Sequence, residues 1–239
     1  MMKTIIHRNE DRGHADHGWL KANHSFSFAS YFDKTKIQFG ALRVLNDDTV
    51  TPSMGFGTHP HDNMEIITIP LAGAIKHKDS SGGEGVIESG DVQIMSAGSG
   101  IRHSEYNASH YDMLNLLQIW IFPKEQNIAP RYDQKTFFAD ERVNKFQTVV
   151  SPEKSDDTLW INQDAWLSLA EIEEGSKVDY QLHKAGNGVY AFVIDGNATI
   201  ADAELNKRDA LGITDADAIA VEAKSKTSLL MIEVPMLGA

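Results

Sequence analysis

The stretch GTHPHDNMEII, residues 57–67, decides how the rest of the chain is read. Successive side chains of a β-strand alternate between faces, so His59 and His61 project the same way, and Asn63 and Glu65 join them if the strand continues. Two imidazoles on one face can serve one ion, although a solvated strand also carries such pairs. Pro60 cannot donate to a ladder, which suits a strand at a sheet edge or barrel mouth. Further on, GIRHSEYN (100–107) repeats the two-residue spacing with His103 and Glu105. Two strands, each with an alternating pair, can converge on a single metal.

Around these pairs the pattern is all-β. Short apolar or alternating runs recur between turn residues: FGALRVL, MEIITIPLAG, GDVQIM, LNLLQIWIFP, VYAFVIDG and SLLMIEVP. The run Leu114 to Phe122 is apolar on both faces apart from Asn115 and Gln118, as in a strand covered on both sides. HKDSSGGEG (77–85) reads as a hairpin loop. The polar stretch FPKEQNIAPRYDQKTFFADERVNKFQ (122–147) reads as an interdomain connection. A second β series begins near Ser151, with turn signals at Gly186-Asn187-Gly188 and Asp195-Gly196-Asn197. The expected organisation is an N-terminal metal-binding unit over 1–135, then a linker and a second β unit over 136–239.

Composition excludes several function classes. The 239 residues are 41% hydrophobic and 23% charged, and no stretch approaches the ~20 consecutive apolar residues of a membrane span. The net charge of −12 repels phosphate backbones, and no basic stripe offsets it, so direct nucleic-acid binding is not expected. The opening MMKTIIHRNEDRGH has too short an apolar run for a secretory signal, which points to the cytoplasm. Without cysteine, any metal must be held by imidazole and carboxylate.

GFGTHPHDNMEIITIPLAG (55–73) resembles the first cupin motif, and GDVQIMSAGSGIRHSEYN (90–107) the second, with His103 followed four residues later by Asn107. More narrowly, RGHADHGWLKANHSFSFASYFD (12–33), THPHDNMEI and IMSAGSGIRHSEYN resemble the pirin family, in particular its bacterial quercetinase-like members. The resemblance is dense over the N-terminal half and holds only in outline over the rest. It implies a bicupin, two tandem jelly-roll β-barrels with one metal in the first. Carried over by residue, the ligands are His59, His61, His103 and Glu105. Ser96 departs from the proline common at that position in the second motif. Glu65 occupies the carboxylate position of the generic cupin motif; with Glu105 ligating, it is expected to orient an imidazole through the free ring N–H.

Three imidazoles and one carboxylate leave about two positions of an octahedral ion open, enough for a substrate and dioxygen. Fe(II) suits that chemistry, and Ni, Zn, Cu, Mn and Co are also accepted by such donors. The activity the resemblance implies is a metal-dependent dioxygenase that opens the central ring of a flavonol, with Glu105 as the base for the substrate's enol hydroxyl. The alternative it carries is a regulatory module that meets a protein partner. A monomer is expected in either case. His7, His14, His17 and His24 are read as structural, His77 and His110 as solvated, and Phe26 and Phe28 as alternating residues of a half-buried strand. In the C-terminal half Gln181 and His183 are laid on His59 and His61, and Val221 and Ala223 on His103 and Glu105. That half should therefore lack a metal site.

Overall fold

A computed structural model describes residues 1–237, and the described residues form strands and two short 3₁₀ turns. The first unit pairs a seven-stranded sheet with a four-stranded one. The large sheet runs in the order Arg131–Thr136, Asp91–Ser96, Glu65–Ala72, Leu114–Ile121, Leu42–Val50, Leu20–His24 and Gly13–Asp16. The small sheet runs Gly55–His61, Ile101–Asn107, Ala74–Asp79 and Glu84–Glu88. Gly55–His61 is thus an edge strand, as Pro60 requires.

The second unit repeats this plan. Its large sheet runs Lys3–His7, Ala210–Thr214, Asn187–Asp195, Thr227–Pro235, Trp166–Ile172, Gln147–Ser151 and Leu159–Trp160. Its small sheet runs Lys177–Gln181, Ala218–Ala223, Asn197–Ile200 and Ala203–Asn206. Each unit is a two-sheet jelly-roll sandwich.

The two large sheets share one apolar core, in which Leu45, Ile67, Leu117 and Ile119 meet Leu167, Tyr190, Phe192 and Ile232. Each large sheet is therefore covered on both faces, by its own small sheet and by the other unit, which is why Leu114–Ile121 reads as a continuous apolar run. In the small sheet the alternation is strict: Ile101, His103, Glu105 and Asn107 are buried while Arg102 and Tyr106 are exposed. The strand period alone turns the histidine and glutamate inward.

Three expectations differ from what is seen. Lys3–His7, counted by position with the first unit, pairs with Ala210–Thr214 at the edge of the second. Within the stretch read as a connection, Arg131–Thr136 pairs with Asp91–Ser96 and edges the first sheet. Such edge strands need only one apolar face, so both look like linker in sequence. Residues 25–28 do not form a strand: Phe26 packs on Tyr190 of the second unit at 5.2 Å, and Phe28 meets Trp120 edge to face at 5.3 Å.

Candidate metal centre

His59 and His103 face each other across the small sheet, and the register shifts between that rung and the pairing of Glu105 with Phe56. The irregularity falls in Gly57-Thr58, and local bulges of this kind re-aim side chains. The His59 Nδ1–H donates to the Gly57 carbonyl at 2.7 Å, which leaves its Nε2 lone pair for a metal. His61 projects to the same side. Donor nitrogens of His59, His61 and His103 lie within 4.8 Å of one another, with ring centroids 4.4 to 4.9 Å apart.

Both ring nitrogens of His103 are buried without a hydrogen-bond partner, although the residue is only 1% exposed. Leaving a buried polar atom unmatched costs about 1–3 kcal/mol, so the arrangement makes sense when a ligand satisfies one of them. Burial first, then His59, His61 and His77, pushes the His103 imidazolium down to about 3. Burial and His59 push His61 down to about 4. Both rings are consequently neutral donors at physiological pH, the form a metal binds. The donor set fits a divalent transition ion, and the residues that would hold it are the three histidines with Glu105 beside them.

Glu105 is placed differently from the imidazole trio. Its carboxylate shares a 4.8 Å set with His103 and His77, not with His59 and His61. Gln118 Nε2 donates to its Oε2 at 3.0 Å, and the Thr68 hydroxyl approaches Oε1 at 3.4 Å. Burial pushes the carboxyl up to about 7, against the lowering effect of these two donors. A 280 Å³ cavity opens beside it, lined by His59, His61 and Glu105 together with Phe28, Phe56, Asp48, Gln118 and Trp120. Trp120 stands edge-on to His61 at 4.9 Å.

Glu65 does not orient an imidazole. The strand ends at His61, Asn63 turns the chain at φ 44°, and Glu65 begins a strand of the opposite sheet. There it accepts from Ser96 Oγ at 2.8 Å and from the Asn162 backbone N–H at 3.2 Å, tying the first unit to the second. Ser96 thus uses its departure from proline to hold Glu65. Asn107 braces a turn by donating to the Val50 and Asp112 carbonyls.

His77, expected in solvent, is fully buried. It bonds Asp79 at 3.0 Å through Nε2 and stacks on Tyr132 at 4.6 Å. The signal was present: His77-x-Asp79 has the same spacing as His103-x-Glu105, and the two pairs lie on adjacent strands with Glu105 opposite His77 and His103 opposite Asp79. The glycine and serine cluster just after Asp79 drew the reading toward loop. Sequence reasoning also passed over Asp48, Thr68 and Gln118. Of the remaining histidines, His7 pairs with Tyr190 Oη, His14 with Asn23 and His24 with Asn46, while exposed His110 meets Ser53.

Tandem jelly-roll sandwiches with an imidazole cluster on the inner wall of one define a two-domain cupin. The family model Pirin matches residues 6–121, and the Quercetinase C-terminal cupin domain matches 148–234. The chain is 43% identical to quercetin 2,3-dioxygenase of Escherichia coli K12, covering 96% of this chain and 98% of that one. It is 44% identical to a pirin-like protein of Caulobacter vibrioides, over 92% and 95%. The bacterial pirin YhhW from Escherichia coli, solved in complex with nickel(II), superposes with a TM-score of 0.92 at 42% identity, over 98% of this chain and all of that one. The chain belongs to the pirin family.

Proposed function

We propose that this pirin is a metal-dependent dioxygenase that opens the central ring of flavonols such as quercetin, releasing carbon monoxide. The observation that carries the reading is that three imidazoles and one carboxyl line or back an open cavity in the first unit, and that no such cluster occurs in the second among the described residues. The name of the Escherichia coli relative supplies the reaction class. An open mouth favours turnover over the regulatory alternative, which needs a closed one and a protein partner. The proposed ion is Fe(II), with nickel supported by the YhhW complex and zinc, copper, manganese and cobalt compatible with the same donors. Bound at the imidazoles, it would supply positive charge that acidifies the substrate's enol hydroxyl and a template for dioxygen.

The chain's own residues do the rest. Phe28, Phe56 and Trp120 give the cavity apolar walls that take a planar aromatic skeleton and exclude water. Glu105 takes the enol proton on a carboxylate oxygen, and Gln118 holds that carboxylate in orientation. We propose that the protein works as a monomer in the cytoplasm.

The test is dioxygen consumption and carbon monoxide release with quercetin, using iron- and nickel-loaded protein with metal quantified in each variant. Glu105→Gln should lower the rate by about 10²–10⁴, the usual effect of losing a general base. Glu65→Gln, whose carboxylate faces Ser96 and Asn162, should keep turnover. A fully metallated Glu105→Gln with normal turnover would overturn the role given to Glu105.

A further inference from the structure

The cavity has a polar group on the wall opposite the imidazoles. His59, His61 and Glu105 come from the small sheet, whereas His24, Asn46, Asp48 and Gln118 come from the large one. Three of these four are matched: His24 Nδ1 with Asn46 Oδ1 at 2.9 Å, and Gln118 with Glu105 and Thr68. Asp48 is the exception. It is 4% exposed, lines the cavity, and its Oδ1 has no hydrogen-bond partner among the described residues. A buried carboxyl oxygen left unmatched is costly, and native structures keep such groups where something else completes them.

We propose that Asp48 is a substrate-positioning residue that hydrogen-bonds a second oxygen of the substrate while its enol oxygen faces the imidazoles. This rests on the dioxygenase reading for the nature of the substrate. It narrows the substrate class to planar aromatic enols that carry a further hydroxyl or carbonyl on the side away from the metal. The walls between the two poles are Leu20, Phe28, Phe56 and Trp120, which grip ring faces without distinguishing one ring from another. Discrimination would then fall to the two polar ends, since a site built to bond a hydroxyl rejects an analogue lacking it. At 280 Å³ the cavity is just below the roughly 300–1,000 Å³ that encloses drug-sized ligands, so one end of a three-ring flavonol is held and the other protrudes. Burial, with Asp47 and Glu105 nearby, pushes the Asp48 carboxyl up to about 7. Near neutral pH it is partly the neutral acid, able to donate as well as accept.

The experiment measures binding without turnover. Metal-loaded, full-length protein is titrated anaerobically with quercetin and with 3-hydroxyflavone, which keeps the enol and carbonyl but has no other hydroxyl; tryptophan fluorescence reports occupancy. Wild type, Asp48→Ala and Asp48→Asn are compared at equal metal content. Asp48→Ala should weaken quercetin by roughly tenfold and change 3-hydroxyflavone by less than about twofold, the selectivity expected of one lost hydrogen bond. Asp48→Asn, which keeps a donor and an acceptor in place, should recover most of the quercetin affinity. Equal losses for both ligands, no loss for either, or quercetin affinity that asparagine does not recover would overturn the proposal. Should Asp48→Ala fail to fold, Asp48→Leu, close to aspartate in size but unable to hydrogen-bond, takes its place and must show the same selective loss of quercetin affinity. Asp48-dependent quercetin binding without dioxygen consumption would remove the dioxygenase reading and leave this one standing. Dioxygen consumption that ignores Asp48 would do the reverse, and wild type that binds neither ligand would overturn both.

Discussion

Counted from their hairpin turns, the same rungs hold different chemistry in the two units. In the first, His103 lies opposite Asp79 and Glu105 opposite His77. In the second, Val221 lies opposite Ile200 and Ala223 opposite Ala198, and these pack with Met231 in an apolar cluster. The fold evidently does not need the polar square. Burying imidazoles and carboxylates costs free energy that valine and alanine do not incur, so the first unit gives up stability for polar rungs that the second fills with apolar side chains.

The largest expected difference is in metal content. His59→Ala, His61→Ala, His103→Ala together should bring the protein from about one transition-metal equivalent per chain to near none, whereas Gln181→Ala with His183→Ala should leave it unchanged. Elemental analysis reads both, and metal lost from the second variant while it stays folded would dissolve the contrast. Next comes the cost of importing the chemistry. Ala223→Glu places a carboxyl where no partner exists and should destabilise by on the order of 3–5 kcal/mol in urea unfolding. Glu105→Ala in metal-free protein should cost far less than that, because it removes a group that burial already disfavours.

The third difference is a pH signature of Asp48 in the first unit, which vanishes at acid pH. Burial foremost, then Asp47 and Glu105, raises the folded Asp48 carboxyl to about 7 from an ordinary value near 4. The folded state therefore holds that proton more tightly than the unfolded state, and the wild type loses stability as pH rises between these values. Asp48→Asn removes the loss. Its stability advantage over wild type should be absent near pH 4, grow toward pH 7 and then level off, at no more than about 4 kcal/mol. Thermal melts at pH 4, 5.5 and 8 check this, and a constant difference across the range would contradict it.

Period-two alternation was enough to place His59, His61 and His103 on one inner wall, because the rungs from His59 to His61 and from Ile101 to His103 are in continuous register. It failed for Glu65 because the parity argument needs an unbroken strand, and Asn63 breaks it. That Val221 and Ala223 take the rungs of His103 and Glu105 was readable in sequence, yet the register of the facing strand was not. The rung of His59 corresponds to Val178, which lies opposite Val221, and the rung of His61 to Tyr180, while Gln181 ends the strand and His183 lies past it. His183 instead bonds Glu233 and stacks on Trp166 at 5.1 Å. That Asp48 and Gln118 line the cavity was not legible, even though Gln118 stood out as polar in its run, because nothing local marks which face of the large sheet looks inward. That face is defined only once the small sheet covers it.

The placement of Lys3–His7 has a consequence for the order in which the protein can be completed. Lys3 finds its partner in Thr214, so Lys3–His7 has no place to go until synthesis has reached Ala210–Thr214. Closing so long a loop is slow, as it is for any contact between residues distant in sequence. The first unit can assemble its sheets meanwhile, edged by its own Arg131–Thr136. The second unit stays open along one side until the chain's beginning returns to it. Cutting the protein between its units would therefore not yield two self-sufficient halves: the C-terminal piece would carry an unpaired sheet edge, and the N-terminal piece a strand with nothing to join.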